Sequence, residues 1–410
     1  MRIPLAKPDI GEREIELVTE VLRSGQLSLG PRVPEFEQAF AEYVGTRYAI
    51  ATNSGTSALH LCVRALEIGE GDDVLTTSFS FVASANCLLY EKATPVFVDI
   101  DPETMNIDPA AIRRTIAEEY RWDRLQSRHI HKHTGNILKA ILPVHVFGQP
   151  CAMGEMVELA REFDLMILED ACEAIGAEYR GQPVGTFGDA SVFAFYPNKQ
   201  MTTAEGGMIV TDNAQVAAEC RSLRNQGRDE RSEWLSHLRL GFNYRLSDLH
   251  AALGLAQLER IQELLAKRAR VAGWYTRHLA ATPGMMLPEA PQRDTRSWFA
   301  YVIRIAGSQP RPRRDLLMNC LHARGIACQA YFPPIHRQPY FAEFAAGAVR
   351  ELPRTEDAAD RCVALPLFSQ MTESEVIEVC DSVRHIAVTT AADGEAVVER
   401  RYAAAAGASD

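Results

Sequence analysis

No stretch of about 18 consecutive apolar residues occurs in the 410-residue chain, and a membrane-spanning helix needs one of that order. The first residues, Met1 to Asp9, carry no apolar signal core, so the expected location is cytoplasmic. Lys and Arg total 43 against 54 Asp and Glu, a formal net charge of -11. With no basic run long enough to follow a phosphate backbone, nucleic acid is not an expected partner. The 9 cysteines are an odd number scattered from Cys62 to Cys380 with no CxxC pair, which argues against a disulfide framework, a zinc site or a redox motif.

What is present is a large apolar content, 47%, in a chain longer than one compact domain usually runs, so two domains are expected. From Tyr48 to Thr211, short Val- and Ile-rich runs alternate with helical patterns, the signature of a three-layer α/β domain with a mostly parallel sheet. Expected strands are Tyr48 to Thr52, Val74 to Thr77, Pro95 to Asp99, Ala140 to Val146, Leu165 to Glu169, Ser191 to Phe195 and Met208 to Thr211. Ser247 and Asp248 can cap a long helix, so we divide the chain into a large domain over 1–246 and a smaller α/β domain over 247–388. The Ala-rich tail over 389–410 is expected to be flexible.

Four strand ends carry the candidate chemistry. Lys199 lies in Tyr196-Pro-Asn-Lys-Gln between two strand-like segments, where a reactive lysine is well placed but a merely solvated one is common. Glu169-Asp170 closes an apolar strand at the edge where open α/β sheets bind ligands. Asp170 can hold a ring nitrogen protonated, or simply cap the following helix. Asn53-Ser-Gly55-Thr56-Ser57 opens a helix with small residues that leave N–H groups free for an anion, although Ser-Gly-Thr is also an ordinary capping turn. Phe81, after another strand, offers an aromatic face. A lysine, an acid, a phosphate cup and an aromatic face are together the parts that hold pyridoxal 5′-phosphate (PLP).

At this point the sequence resembles the DegT/StrS-type sugar aminotransferases. The likeness spans roughly residues 4–386 and is carried by Asn53-Ser-Gly-Thr56, Pro95-Val-Phe-Val-Asp-Ile-Asp101, Pro143-Val-His-Val-Phe-Gly148, Glu169-Asp170-Ala, Asn198-Lys199, Glu205-Gly-Gly207, Gly241-Phe-Asn-Tyr-Arg-Leu-Ser-Asp248 and Pro334-Ile-His336. It implies a fold type I PLP-dependent transferase that works as a homodimer. By the same resemblance Lys199 is the Schiff-base lysine, Asp170 faces the pyridine nitrogen, Phe81 stacks on the ring, and Gly55, Thr56 and Ser57 hold the phosphate. Asn243 would reach that phosphate from the other subunit, and Tyr196 and His336 would line the substrate pocket.

Two departures from the family pattern stand out. Glu173 occupies a position where relatives often carry Gln or His next to the cofactor's phenolic oxygen. Such a carboxylate either keeps a proton and donates, or turns away. Ala194 replaces a serine that many relatives place at the phosphate. A segment from Arg128 to His133 carries three alternating histidines; it is read as a solvated loop, and the resemblance implies no metal.

The expected reaction is ping-pong transamination from L-glutamate to a keto sugar, most simply a nucleotide-linked 3- or 4-keto hexose, in polysaccharide or secondary-metabolite synthesis. The alternatives are an aminotransferase acting on a cyclitol ring, a PLP-dependent sugar dehydratase, whose relatives carry His in place of the lysine, and a non-catalytic PLP-binding regulator.

Overall fold

The computed structural model describes residues 1–229, 236–289, 293–344 and 350–392. Its centre is a sheet in the order Tyr48–Thr52, Gly207–Thr211, Ala190–Ala194, Met166–Asp170, Ile137–Leu142, Asp72–Thr77, Thr94–Val98. The four pairings from Ala190–Ala194 across to Thr94–Val98 are parallel. Gly207–Thr211 runs antiparallel to both of its neighbours. All seven expected strands are present, with ends displaced by a few residues, as fraying ends normally are.

Side chains alternate across this sheet because strand residues have a period of two. Val74, Ala140, Leu142 and Leu168 face one core with the helices Gly55–Ala65 and Ala214–Arg224, whereas Leu75, Ile141 and Ile167 face another with Pro109–Glu119 and Met153–Phe163. Helices therefore cover both faces, giving the three layers. At the Tyr48–Thr52 end, Phe36, Phe40, Phe193 and Phe195 form a fully buried aromatic group. Each such ring contributes roughly 1.5–3 kcal/mol by burial.

Ser247 caps the helix Asp248–Glu259 by accepting from the His250 N–H. That helix and the start of the next, Ile261–Leu279, pack through Ala251, Leu258, Ile261 and Leu264 against the aromatic group. From Val271 onward the same long helix belongs to a second core, built on the antiparallel strands Met285–Met286, Tyr301–Ile305 and Cys362–Leu365 and the helices Pro310–Ala323 and Glu373–Ala392. Packing thus passes from one core to the other within a single helix. Ile3 from the amino terminus joins the second core. The last helix carries the chain past Thr389 to Ala392, and residues 393–410 of the expected flexible tail lie outside the described residues.

The histidine segment is not a loop. Arg128–His131 is a strand paired with Tyr120–Asp123, and Ile130 pairs with Ile137 at the rim of the main sheet. His129 packs edge-on against Trp122 and Phe163, with centroids 5.1 and 5.2 Å apart, and His131 against Tyr120 at 5.1 Å. Cross-strand aromatic pairs stabilise a hairpin, which the alternating polar sequence concealed. Among the described residues no group of three His, Cys, Asp or Glu is arranged to hold a metal, and no helix is long and apolar enough to cross a membrane.

Candidate active site

Glu169 and Asp170, adjacent on the strand Met166–Asp170, point to opposite sides of the sheet and do different work. Glu169 is fully buried. It accepts from the N–H groups of Gly185, Phe187 and Gly188, from Ser191 Oγ and from His145 Nε2, at 2.8 to 3.2 Å. His145 Nδ1 accepts from Cys151 N–H, so the ring hydrogen sits on Nε2, facing Glu169. Burial alone would raise the Glu169 pKa, but His145 and the backbone amides outweigh it and hold it below the usual range.

Asp170 faces the other way. Its Oδ2 accepts from Ser84 Oγ at 2.7 Å, and its Oδ1 accepts from Cys172 N–H at 3.1 Å. Ser84 is itself linked to Ser80 at 2.9 Å, one turn earlier in the segment that follows the strand Asp72–Thr77. The carboxylate is thereby fixed in one orientation. Phe81, in the same segment, is 61% exposed, whereas Phe79 is fully buried.

Lys199 sits in the turn after the strand Ala190–Ala194, its N–H donating to Tyr196 O at 2.9 Å. The Tyr196 ring is 53% exposed beside it. Lys199 Nζ lies 3.3 Å from Glu173 Oε1 and 4.0 Å from the centre of the Phe299 ring, a cation–π distance. Glu173 Oε2 accepts from Phe147 N–H at 2.9 Å. The Glu173 side chain thus turns toward the lysine rather than away, and burial, the dominant influence, raises its pKa despite the Lys199 charge.

Phe299 reaches the lysine because the backbone at Gly148 and Ser297 touches. Gly148 has φ +77, and a Cβ there would lie 1.6 Å from Ser297 O, so only glycine fits. Gln200, next to Lys199, donates to Glu173 O at 2.6 Å and to Ser297 Oγ at 2.8 Å, tying the same segment down.

The helix Gly55–Ala65 starts beside this cluster, with Ser54 accepting from Ser57 N–H as its cap. Helix geometry leaves the Gly55 and Thr56 N–H groups without partners inside the helix, and the positive end of the helix dipole suits an anion. A Cβ on Gly55 would lie 2.7 Å from Ala194 Cβ and 3.1 Å from Cys172 Sγ. Ala194 therefore occupies a place where glycine and alanine meet in contact. The donor set fits PLP: an amine at Lys199, an acid at Asp170, and a helix start of small residues for a phosphate.

The remaining expected residues lie further out. Asn243 is exposed; the carbonyl of its neighbour Tyr244 accepts from Asn53 N–H at 2.9 Å, which places the segment over the start of the turn that opens the helix Gly55–Ala65. His336 is buried and uses both ring nitrogens: Ser78 Oγ is 2.7 Å from Nδ1, and Glu356 Oε1 is 3.2 Å from Nε2. Burial lowers its pKa. Sequence reasoning missed Ser84, Gln200 and Phe299. The Ser80/Ser84 spacing of four was a usable signal, whereas nothing local announces Phe299.

With this geometry in hand, comparison with known proteins is informative. GDP-perosamine synthase of Caulobacter vibrioides is 38% identical over 390 residues, covering 94% of this chain and 99% of that protein. The structure of S. venezuelae DesV in complex with a ketimine intermediate superposes with a TM-score of 0.82 at 32% identity, covering 94% of this chain and 98% of that one. The PLP form of a putative sugar aminotransferase from Streptococcus pneumoniae gives a TM-score of 0.84 at 26% identity, covering 94% and 99%. Residues 8–384 match the DegT/DnrJ/EryC1/StrS aminotransferase family, and the chain is a sugar aminotransferase that belongs to it.

Proposed function

We propose that the protein binds PLP through Lys199 and carries an amino group from L-glutamate to the keto group of a nucleotide-linked hexose, giving an amino sugar for polysaccharide or secondary-metabolite synthesis. The observation that carries this reading is the convergence of Lys199, Glu173, Asp170 and Phe299 beside the start of the helix Gly55–Ala65. Bound PLP would supply an electron sink for the carbon that exchanges its amino group.

The chain's own residues set the rest. Asp170, oriented by Ser84 and Cys172, would hold the proton on the pyridine nitrogen. Gly55, Thr56 and Ser57 would bind the phosphate, with Asn243 contributed by the second subunit of a homodimer. Phe81 would cover a ring face. Lys199 Nζ, once released by the donor's amine, would move a proton between the two carbons as general base and acid. Tyr196 stands beside the lysine turn and would contact the sugar, whereas His336, bonded to Ser78 and Glu356, would shape that wall from behind.

The nucleotide-sugar acceptor is supported by the likeness to the Caulobacter relative, a GDP-perosamine synthase. Lys199 itself favours transamination over the dehydratase reading. The test is the absorption spectrum of the PLP-loaded protein before and after L-glutamate. Conversion of the visible band to that of the pyridoxamine form supports the first half-reaction. PLP binding with no response to glutamate rejects that donor or the transaminase reading.

A further inference from the structure

Glu173 is 7% exposed, and among the described residues only two groups hydrogen-bond to its carboxyl: the Phe147 N–H and the Lys199 ammonium. The other titratable groups around it are Asp170 and Cys172 on the same turn and Tyr331 across the site, and none of them brings a positive charge. Among the described residues of the free protein, Lys199 is therefore the sole cation that compensates this buried charge. A buried carboxylate whose only cation is taken up by another anion is strongly destabilised unless it is neutralised.

Resting on the PLP reading above, cofactor loading would redirect that compensation, because the nitrogen's positive charge would be shared with the cofactor's own phenolic oxygen. Condensation of the lysine with the aldehyde forms a C=N bond and breaks the C=O bond. The aldehyde oxygen leaves as water with two of the ammonium's three hydrogens, and the third remains on nitrogen together with the positive charge. That charged N–H would pair with the phenolic oxygen of the cofactor, and Glu173, at the position the family resemblance puts next to that oxygen, would lose its cation to a group that itself carries negative charge. We propose that Glu173 takes up a proton when the cofactor is loaded and serves as a hydrogen-bond donor to the cofactor, where relatives of the resembling family use Gln or His. The proton comes from solvent, and the Phe147 N–H continues to hold the other carboxyl oxygen, so the donor stays aimed. The direction of the Glu173 pKa, raised by burial, agrees with this.

The experiment is a difference infrared spectrum, PLP-loaded minus free protein, taken on wild type grown with and without 13C-labelled glutamate and on Glu173→Gln. The expected result is a new protonated-carboxyl band that shifts with the label and in heavy water and is missing from Glu173→Gln. A visible absorption band showing that PLP is bound, with no such carboxyl band, overturns the proton uptake while leaving the PLP reading intact. The same carboxyl band in Glu173→Gln also overturns it. Failure to develop visible absorption on adding PLP rejects the PLP reading itself. The label identifies the band as a glutamate in the wild type, and Glu173→Gln, or Glu173→Asp in which the band no longer shifts with labelled glutamate, assigns it to this position.

Discussion

Ser84 Oγ donates to Asp170 Oδ2 across 2.7 Å, joining the segment after one parallel strand to the end of another two strands away. The serine acts through the aspartate, so it is a positioning residue. Replacing Ser84 with Ala removes a hydrogen bond to a charged group, about 1.5 kcal/mol at the low end, or roughly tenfold in PLP affinity. Titration of the free protein with PLP measures it. Ser84→Thr keeps a hydroxyl and should recover most of the loss; equal affinity in wild type and Ser84→Ala would remove the serine from the site.

Glu169 predicts a stability effect without a direct role in chemistry. Glu169→Gln places an amide NH2 against donors and should destabilise the fold by about 1–3 kcal/mol, the usual cost of leaving a buried donor unsatisfied. A shift in the urea midpoint reads this. The folded-state pKa of Glu169 lies below its unfolded value, so its contribution is present above the unfolded carboxylate range, about 4.3, and is lost as pH falls toward the folded value. The destabilisation of Glu169→Gln relative to wild type should therefore shrink on acidification below that range; a difference independent of pH would contradict the cage as described.

Gly55 has no room for a methyl group. Gly55→Ala brings its Cβ to 2.7 Å from Ala194 Cβ and should cost about 1–3 kcal/mol of stability, with weaker PLP binding. The double variant Gly55→Ala with Ala194→Gly exchanges the two methyl positions and should recover part of both losses. No recovery would mean that Cys172 Sγ, 3.1 Å away, or the helix start itself sets the limit.

The shared dimer site is tested by complementation. Lys199→Ala should abolish turnover without unfolding, and Asn243→Ala should bind PLP more weakly. Subunits of the two variants, mixed and allowed to exchange, can form one site with both residues intact if Asn243 acts across the interface. Activity in the mixture above that of either parent supports this arrangement; its absence in verified mixed dimers places Asn243 outside the neighbouring site.

The local pattern of the chain was enough to determine the seven main strands, because Val- and Ile-rich runs buried on both faces leave little choice of conformation. It also determined the strand-end position of Asp170, the turn around Lys199 and the capped helix start at Ser54, since each depends on residues adjacent in the sequence. Tertiary structure decided what proximity alone can decide. Glu169 became a scaffold and Asp170 turned to Ser84 and Cys172 because neighbouring strand positions face opposite ways. Phe299 reached Lys199 only because Gly148 lets the Ser297 backbone approach, a contact between positions 149 residues apart. The histidine segment became a hairpin because Trp122 and Phe163 were there to receive His129. Short-range pattern fixes elements; long-range packing assigns them their partners, and chemistry at this site rests on the partners.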